Sequence, residues 1–377
     1  MIKLKDVASY VSEKVDTGLL KVQDYITTDN MLSNRGGIII SDSLPKAEKV
    51  TKFERGDILV SNIRPYFKKI WYATFNGGCS NDVIVFRANG INSKFLYYVL
   101  SQNVFFDYMM AGANGTKMPR GNKKLIPDFE FLNFSPVQQE HISSILSRFD
   151  SLIENNQKQI NLLEEAARRL YKEWFVDLRF PGHENVEIIE GMPIDWRKGT
   201  FESFVDVTMG QSPKSIFYNQ DGDGIAFHQG VGSYGDRFVK DSIYSTSTTR
   251  IAEAGSILFS VRAPVGRLNI TKNRIIIGRG LAALKQKSNY QSFLFYMLKE
   301  FFFRDNIVGN GSIFASITKD ELLSLSFVFP NENLIKRFND VAISIDKKIE
   351  YLDMQINLLT EARDRLLPKL MSGEIEV

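Results

Sequence analysis

Two sequence patterns contain residue types that catalysis or cofactor binding uses, but neither predicts such a site. The three histidines, His141, His183 and His228, lie far apart, and Cys79 is the only cysteine, so the spacing of a zinc site is missing. Residues 230–235 match G-x-G-x-x-G, yet no helix opening follows them, so no helix N-terminus is predicted to hold a pyrophosphate. We expect no metal, no cofactor and no catalytic residue in this chain, and we interpret the histidines as surface or packing residues.

Basic residues near glycine-rich loops indicate a different chemistry, the binding of phosphates. The loop at residues 112–124 combines the backbone freedom of glycine with four cations, whereas the matching loop at residues 309–319 is nearly uncharged. Lysine and arginine supply most of the affinity for duplex DNA, and polar side chains read base edges in the grooves. The candidate DNA-binding residues are Arg35, Arg64, Lys68, Lys69, Lys117, Arg120, Lys123, Lys124, Gln211, Ser212, Gln229, Tyr234, Arg262 and Arg267.

The charge distribution favours an anionic partner for two parts of the chain. The formal net charge is only +3 over 377 residues. It alternates along the chain, at +5 for residues 1–135, −4 for 136–197, +3 for 198–333 and −1 for 334–377. A polyanion is therefore attracted to the first and third segments. The single cysteine, the lack of a long apolar run and the polar N-terminus predict a cytoplasmic protein without a membrane span.

A nearly identical stretch of twelve residues occurs twice. Residues 159–170 and 355–366 share nine of twelve residues at an offset of 196. The same offset relates two series with heptad spacing, Ile142, Phe149, Asn156, Leu163 and Leu170, and Phe338, Ile345, Leu352, Leu359 and Leu366. The neighbouring core positions are assigned to Ile145, Leu152, Ile153, Ile160, Val341, Ile349 and Ile356. This spacing predicts two long helices, each with a narrow apolar seam.

The two helices have two possible partners. Each could lie on its own domain as an ordinary amphipathic helix. Each stretch, however, extends over about 35 residues, or roughly 50 Å, which is longer than a domain of this size can cover. Pairing of the two seams with each other is therefore favoured, with Asn156 as a polar residue that fixes their register.

The repeat continues more weakly upstream of each helix. Residues 56–65 match 255–264, and residues 95–100 match 293–298, with offsets between 194 and 199. Alternating apolar runs predict strands at 57–61, 70–74, 83–87, 256–260 and 275–277, and helices are predicted at 95–106 and 292–303. Turn-forming residues make 174–196 a linker. We predict an α+β chain with β-rich domains at 1–135 and 198–332, a long helix and linker at 136–197, and a second long helix and tail at 333–377.

Five motifs in this order resemble the specificity subunit of type I restriction–modification systems. They are Gly56-Asp-Ile-Leu-Val-Ser-Asn-Ile-Arg-Pro65, Asn81-Asp-Val-Ile-Val-Phe86, Trp174-Phe-Val-Asp-Leu-Arg-Phe-Pro-Gly182, Met209-Gly-Gln-Ser-Pro213 and Leu367-Pro-Lys-Leu-Met-Ser-Gly-Glu-Ile375. The resemblance covers essentially the whole chain. Its one departure is the abrupt start at Met1, without the lead-in found at Pro193–Trp196.

The resemblance implies two tandem target-recognition domains, each reading half of a bipartite site in double-stranded DNA. A long antiparallel two-helix coiled coil would separate them with pseudo-two-fold symmetry. It also implies docking of two modification (methyltransferase) subunits and, in the full complex, restriction (motor-nuclease) subunits. S-adenosylmethionine, Mg and ATP would bind only to those partners. The helix pair would set the spacing and dock the modification subunits. We also predict that the acidic helices serve these partners more than DNA, so charge reversal at Glu164 and Glu165 should not weaken DNA binding alone.

Two other classes of function are alternatives to this interpretation. A non-catalytic protein-interaction scaffold with a coiled-coil core fits the helices, but the basic bias of the β-rich segments favours DNA. Only DNA binding should weaken steeply as salt rises. A fused methyltransferase is suggested by Asn62-Ile-Arg-Pro-Tyr66, which is similar to the Asn-Pro-Pro-Tyr motif of amino-methyltransferases. This stretch lacks the double proline, and no cofactor loop precedes it.

Overall fold

The computed structural model describes residues 1–303 and 316–377. Its contacts divide the chain into two compact units, unit 1 with residues 1–156 and 354–377, and unit 2 with residues 157–353. The helices are α1 (Leu4–Val7), α2 (Ser93–Ser101), α3 (Asn103–Ala111), α4 (Pro136–Phe175), α5 (Gln291–Phe303), α6 (Lys319–Ser324) and α7 (Glu332–Ser372). No helix within the described ranges combines the length and apolar character needed to cross a membrane.

Unit 1 contains a β-rich domain built on two four-stranded sheets. Its strands are β1 (Ile2–Lys3), β2 (Ala8–Tyr10), β3 (Lys14–Asp16), β4 (Tyr25–Ile26), β5 (Lys49–Phe53), β6 (Ile58–Ser61), β7 (Ile70–Tyr72), β8 (Gly77–Cys79), β9 (Val83–Ala88) and β10 (Glu130–Phe131). One sheet has the order β2-β9-β6-β7 and the other β3-β5-β8-β4, and β1 pairs with β10. The buried residues of α2 and α3 pack in one core with Ile58, Val60 and Phe86 of the first sheet.

Unit 2 repeats the first of these sheets and has a second sheet of five strands. Its strands are β11 (Ile188–Ile189), β12 (Met192–Pro193), β13 (Arg197–Thr200), β14 (Val205–Met209), β15 (Tyr218–Asn219), β16 (Ile225–His228), β17 (Tyr244–Ser245), β18 (Ile251–Ala252), β19 (Ile257–Ser260), β20 (Leu268–Ile270), β21 (Ile275–Ile277), β22 (Leu281–Gln286) and β23 (Ser326–Phe329). The sheets have the orders β14-β22-β19-β20 and β15-β17-β16-β21-β18, and β13 pairs with β23.

Strand pairing relates the two β-rich domains residue by residue. Ala8 of β2 pairs with Ala88, and Val205 of β14 pairs with Gln286, which gives offsets of 197 and 198 for these strands. The parallel pair β4–β8 corresponds to β16–β21, because Ile26 faces Cys79 and His228 faces Ile277. The same strand directions thus recur in both domains, so a position in one can be compared with its counterpart in the other.

The long helices α4 and α7 each contribute one half to each unit. In unit 1, Asn156 donates a hydrogen bond from Nδ2 to Oε1 of Gln355 at 3.2 Å, and Arg363 Nη1 lies 2.7 Å from Asp150 Oδ1. Ile142 shares a core with Leu367 further along α7. The partner numbers rise along α7 as they fall along α4, so the two helix halves run antiparallel within unit 1.

The helix halves of unit 2 are antiparallel as well. The rings of Tyr171 and Trp174 lie 5.6 and 6.0 Å from that of Phe338, and Arg237 connects Glu164 to Asp346. Among the predicted seam residues, Ile142, Asn156, Phe338 and Leu352 are buried, while Phe149, Leu163, Leu170, Ile345, Leu359 and Leu366 are half-buried.

Three details differ from the sequence predictions. Leu152 and Val341, assigned to core positions, are 50% and 45% exposed, because the contact stripe of each helix is narrower than the run of apolar residues. The helix predicted at 95–106 is interrupted at Gln102, whose backbone is extended. The linker predicted at 174–196 begins inside α4, and its Phe180 and Trp196 are buried.

Candidate nucleic-acid interface

Three chain segments of unit 2 converge at one end of its sheets. The amide of Gln211 donates to the carbonyl of Ile277 at 2.9 Å, and the amide of Gly278 donates to the carbonyl of His228 at 2.8 Å. The amide of Gly280 donates to the carbonyl of Gln229 at 3.1 Å. These backbone bonds bring together the segments 210–212, 228–230 and 278–280.

Glycines make this close approach possible. A Cβ at Gly210 would lie 2.1 Å from the carbonyl oxygen of Gly278, and one at Gly278 would lie 2.8 Å from Cα of Gln229. Both contacts are shorter than real Cβ atoms show, and both are to backbone that cannot move aside independently. The glycine of the Met209-Gly-Gln-Ser-Pro213 motif therefore has a steric role, which is to seat Gln211 beside the 278–280 turn.

The converged segments form a polar, basic surface, which we call surface B. It consists of Gln211, Ser212, Lys214, Gln229, Arg262 and Arg279. Two depressions, of about 630 and 260 Å³, share Gln229 and Arg279 in their linings. Every member except the half-buried Ser212 is exposed. The structure thus brings together the predicted Gln211, Ser212, Gln229 and Arg262, and adds Lys214 and Arg279.

Buried His228 supports the loop that carries Gln229. Its Nδ1 lies 2.8 Å from Oγ of Ser233 and its Nε2 lies 3.0 Å from Oδ1 of Asp241. These two contacts hold Ser233 in the middle of the loop and Asp241 at its end close to His228 at its start. Ser, His and Asp are the residue types of a hydrolase triad, but here both ring nitrogens hold the loop in place. This placement makes His228 a packing residue.

The equivalent surface of unit 1 has different chemistry. At the strand offsets of 197 and 198, Gln211 corresponds to Lys14 and Arg279 corresponds to Asn81. Nζ of Lys14 lies 3.5 Å from Oδ1 of Asn81, and Nζ of Lys123 lies 3.3 Å from its carbonyl oxygen. Arg120 pairs with the next residue, Asp82, at 3.2 Å. We call Lys14, Asn81, Arg120 and Lys123 surface A.

The basic loop of unit 1, at residues 112–124, packs against the segment that follows β6. The amide of Arg64 donates to the carbonyl of Pro119 at 2.8 Å, and Ile63 forms a β-bridge with Arg120. Arg64 is half-buried, and its Nε has no hydrogen-bond partner among the described residues. The predicted residues Lys117 and Lys124 are exposed.

Several predicted DNA-binding residues make contacts within the protein instead. The Arg35 guanidinium donates to the carbonyl of Ser101 and to Asn103, and burial lowers its pKa. Lys68 donates to Asn103 as well, at 2.9 Å, and Lys69 donates to the carbonyl of Thr28.

Two predicted residues of unit 2 also lie outside surface B. Tyr234 packs against the core, and its buried hydroxyl has no hydrogen-bond partner within the described part of the chain. Arg267 is exposed, and its backbone amide donates to Ser260. The matching loop at 309–319 lies largely outside the described residues.

A buried tyrosine–aspartate pair connects each β-rich domain to the long helices. In unit 1 the Tyr98 hydroxyl donates to Asp150, which also pairs with Arg363. In unit 2 the Tyr296 hydroxyl donates to Asp346, 2.9 Å away.

Arginines complete both tyrosine–aspartate pairs, but they come from different segments. In unit 1 the arginine is Arg363 of α7. In unit 2 it is Arg237, which belongs to the loop after Gln229 and bonds to Asp346 and Glu164. Burial disfavours its charge, but the nearby Asp346, Tyr296 and Glu164 outweigh that cost and raise the pKa of Arg237. At the repeat offset of 196, Arg363 of α7 corresponds to Ala167 of α4, so α4 supplies no arginine at this position. Glu164 is thus engaged within unit 2, whereas Glu165 pairs with its helix neighbour Arg169.

Comparison with known proteins agrees with a duplicated DNA-reading architecture. The profile of the type I restriction modification DNA specificity domain matches residues 1–165 and 193–350. The chain belongs to this family of DNA specificity proteins.

Its relatives include specificity subunits of type I restriction enzymes. Over 352 residues, covering 88% of this chain and 82% of the relative, it is 29% identical to a protein of Methanocaldococcus jannaschii assigned as the MjaX specificity subunit. It is 24% identical to the MjaIX specificity subunit of the same organism, over 94% of this chain and 86% of that one. The crystal structure of a type I S subunit from M. genitalium has the same fold, with a TM-score of 0.61, 17% identity and coverage of 98% and 95%.

Proposed function

We propose that this protein is the subunit that selects the DNA target of a type I restriction–modification complex in the cytoplasm. Each β-rich domain reads one half of a split duplex site. The observation that carries this proposal is the pair of surfaces A and B. They occupy equivalent positions on one scaffold, yet Lys14 and Asn81 in one copy correspond to Gln211 and Arg279 in the other. A duplicated scaffold with different polar side chains suits two different half-sites.

The residues of surfaces A and B fall into two chemical groups. One is suited to reading base edges, and the other is suited to contacting phosphates. Arg279 and Gln229 offer the forked donors and the amide that pair with guanine and adenine edges. Lys14, Lys123 and Lys214 are suited to phosphates, which orient the protein without reading sequence. Arg35, Lys68, Lys69 and Tyr234 are left out of the proposed interface because they are half-buried, whereas the cations of surface A are exposed.

The long helices are proposed to set the spacing between half-sites and to dock two modification subunits. The exposed residues that are identical in both copies include Leu162, Glu165 and Arg169 in α4 and Leu358, Glu361 and Arg365 in α7. The two leucines are 66% and 58% exposed. Glu165 pairs with Arg169, and Glu361 with Arg365, across one helix turn. Folding does not require identical exposed residues, so a shared partner is the simplest reason for them.

Catalysis is assigned to the partners rather than to this chain. We propose that S-adenosylmethionine is bound by the modification subunits, and ATP and Mg by restriction subunits where these join the complex. The purified chain alone should not transfer methyl groups from S-adenosylmethionine to DNA. Transfer by the isolated chain would contradict this assignment.

A domain exchange tests the proposed function. Residues 201–325 are replaced by the matching segment of a relative, which leaves the closing pair β13–β23 in place. Mapping of N6-methyladenine in cells that carry the modification subunit should then show a changed second half-site and an unchanged first one. A change in both halves, or in neither, would refute modular reading.

Docking is tested separately with Leu162→Ser and Leu358→Ser. Each single variant should retain one modification subunit per chain instead of two, and the double variant none, measured by mass photometry of the co-purified complex. Val137→Ser is the matched control, because Val137 is 63% exposed but corresponds to Asn333 in the other copy.

A further inference from the structure

The two most exposed large apolar side chains in the described β-rich domains are Ile216, at 80%, and Leu19, at 77%. Each lies in the first 3-10 turn that follows the corresponding strands β2 and β14, Leu19 in Thr17–Leu19 and Ile216 in Ser215–Phe217. A single exposed aliphatic residue is common and needs no explanation. The occurrence of the two most exposed cases in the turns that follow β2 and β14 does need one.

Both side chains project from short turns that the structure holds firmly. Leu19 ends the 3-10 turn Thr17–Leu19, and Thr17 is buried and donates from Oγ1 to the carbonyl of Ala47 at 2.6 Å. The amide of Thr17 donates to the carbonyl of Glu48 at 2.8 Å. A turn held by these hydrogen bonds can keep an apolar side chain in contact with a partner without changing its own conformation.

The turn of unit 2 is held by different contacts. Ile216 lies in the turn Ser215–Phe217, and the Tyr218 hydroxyl closes its base by donating to the carbonyl of Pro213 at 2.9 Å. Tyr218 in turn packs on Phe227 of the sheet, with 4.8 Å between ring centroids.

Each turn adjoins the polar surface of its domain. Lys214 and Ser215 line the 630 Å³ depression of surface B together with Gln229 and Arg279. In unit 1, β3 begins at Lys14 of surface A and leads directly into the turn that ends at Leu19. An aliphatic side chain beside cations and amides fits a ligand that is anionic at its edge and apolar inside. Duplex DNA, with phosphates outside and stacked bases within, has this character.

We propose that Leu19 and Ile216 are wedges that enter a base step of the duplex, one at each half-site. This inference rests on the proposed DNA-reading function and adds a deformation of the target to it. Apolar side chains inserted between base pairs unstack them and kink the duplex by roughly 20–90°. The choice of each half-site then depends partly on how easily the base pairs at one step unstack. The protein makes no hydrogen bond to a base edge at that step.

The test uses the full chain with its modification subunits and a duplex enriched by that wild-type complex from a randomised library. Ile216→Ala should weaken binding to the fully paired duplex about tenfold and reduce its bend, measured by energy transfer between end-attached dyes. A single mismatch is then moved step by step along the second half-site. At the wedge step the variant should recover to within about threefold of wild type, because the step is already open.

Three further variants sharpen this experiment. Leu19→Ala should behave in the same way at the first half-site. Ile216→Lys should also lose the bend, whereas a turn that merely touches phosphates would bind more tightly with the added charge. Ile189→Ala, at a residue 47% exposed in the β11–β12 hairpin, should change nothing.

The outcomes separate this inference from the proposed function. If the wild-type complex enriches no split sequence, the proposed function fails. If it does, but Ile216→Ala binds and bends every duplex like wild type, the wedge is refuted. A variant that only loses modification subunits would show that the turn contacts protein instead of DNA.

Discussion

Arg279 lies between two glycines in a turn that three chain segments hold in place. Its side chain is exposed, and its neighbours Gln229 and Gln211 are held by backbone bonds rather than by flexible contacts. Such an arrangement presents a forked donor at low entropic cost, as recognition of a base edge requires.

Arg279→Ala should therefore weaken specific binding by about 1–3 kcal/mol and relax the preference at one position of the second half-site. Arg274→Ala is the control, an exposed arginine outside surface B that pairs with Glu253 at 3.5 Å. Fluorescence anisotropy on targets with single base changes measures both effects. A loss that is uniform over all duplexes would instead mark Arg279 as a phosphate contact.

Arg237 and Arg169 provide a direct comparison of buried and exposed ion pairs. The Arg237 side chain is 3% exposed, and its partners Glu164 and Asp346 are 23% and 19% exposed. Arg169 is 75% exposed. Removal of one partner of a buried pair costs about 3–5 kcal/mol, and the exposure of the two carboxylates reduces this.

Arg237→Met should lower the free energy of unfolding by about 2–3 kcal/mol, whereas Arg169→Met should change it by less than about 0.5 kcal/mol. Urea unfolding followed by the fluorescence of Trp174 and Trp196, both in unit 2, measures the difference. Equal effects from the two substitutions would show that the buried network does not stabilise this unit.

The sequence indicated which loops meet at surface B better than it indicated which of their residues are exposed. Gln211 and Gln229 flank glycines in loops after apolar runs, and they do converge. Arg279 was missed, although the Gly-Arg-Gly turn between two strands is a usable signal. Arg35 and Tyr234 lie in similar loops, and only the tertiary contacts that bury them distinguish them from exposed loop residues.

At the scale of single elements, the turn at Gly278 decides how closely the segments of surface B approach. Gly278 and Gly232 lie in the same part of unit 2 but differ in their surroundings. A Cβ at Gly278 would strike the backbone of Gln229, whereas one at Gly232 would meet nothing within 4 Å.

Gly278→Ala should thus displace the loop, destabilise the protein by about 1–3 kcal/mol and weaken binding of the second half-site. Gly232→Ala should leave the stability and the half-site affinity unchanged. Thermal unfolding and binding assays on both variants test this. Normal DNA binding by Gly278→Ala would mean that the converged geometry is not required for recognition.

Elements with strong periodicity were predictable, and short ones were not. The long helices and the strands at 58–61, 83–88 and 275–277 follow from their apolar spacing to within one or two residues. Strands β4 and β15 have two residues each, too few for any period, and form only because neighbouring strands supply partners. The break at Gln102 has neither proline nor glycine to mark it, so only packing reveals it.

At the scale of the whole molecule, the continuous helices α4 and α7 are the elements shared by both units. The unit boundary falls after Asn156 in α4 and after Asp353 in α7. The heptad repeat predicted that these helices pair. The division of each helix between two units depends on which β-rich domain packs on which half, and spacing alone does not encode it.

Insertion of seven residues after Asn156 and after Asp353 should lengthen the spacer of the recognised site by about three base pairs. One heptad adds about 10.5 Å to a helix, and DNA rises about 3.4 Å per base pair. Sequencing of the methylated motif gives the spacer directly. An unchanged spacer would show that the helices do not set the distance between half-sites.

The division of α4 and α7 between the two units also predicts how a truncated chain, encoded by half of the gene, would assemble. A fragment with residues 1–175 keeps α4 whole but loses the α7 segment that covers Ile142 and Leu146. Residues 158–175 of a second fragment align with residues 354–371 and share nine of their eighteen residues. Two fragments should therefore form a homodimer that directs the modification subunits to a palindrome. Light scattering should give twice the fragment mass, and Ala167→Arg should tighten the dimer by restoring the arginine that faces Asp150 in the intact chain. A monomeric fragment would rule out this route by which a half-gene acquires a self-complementary target.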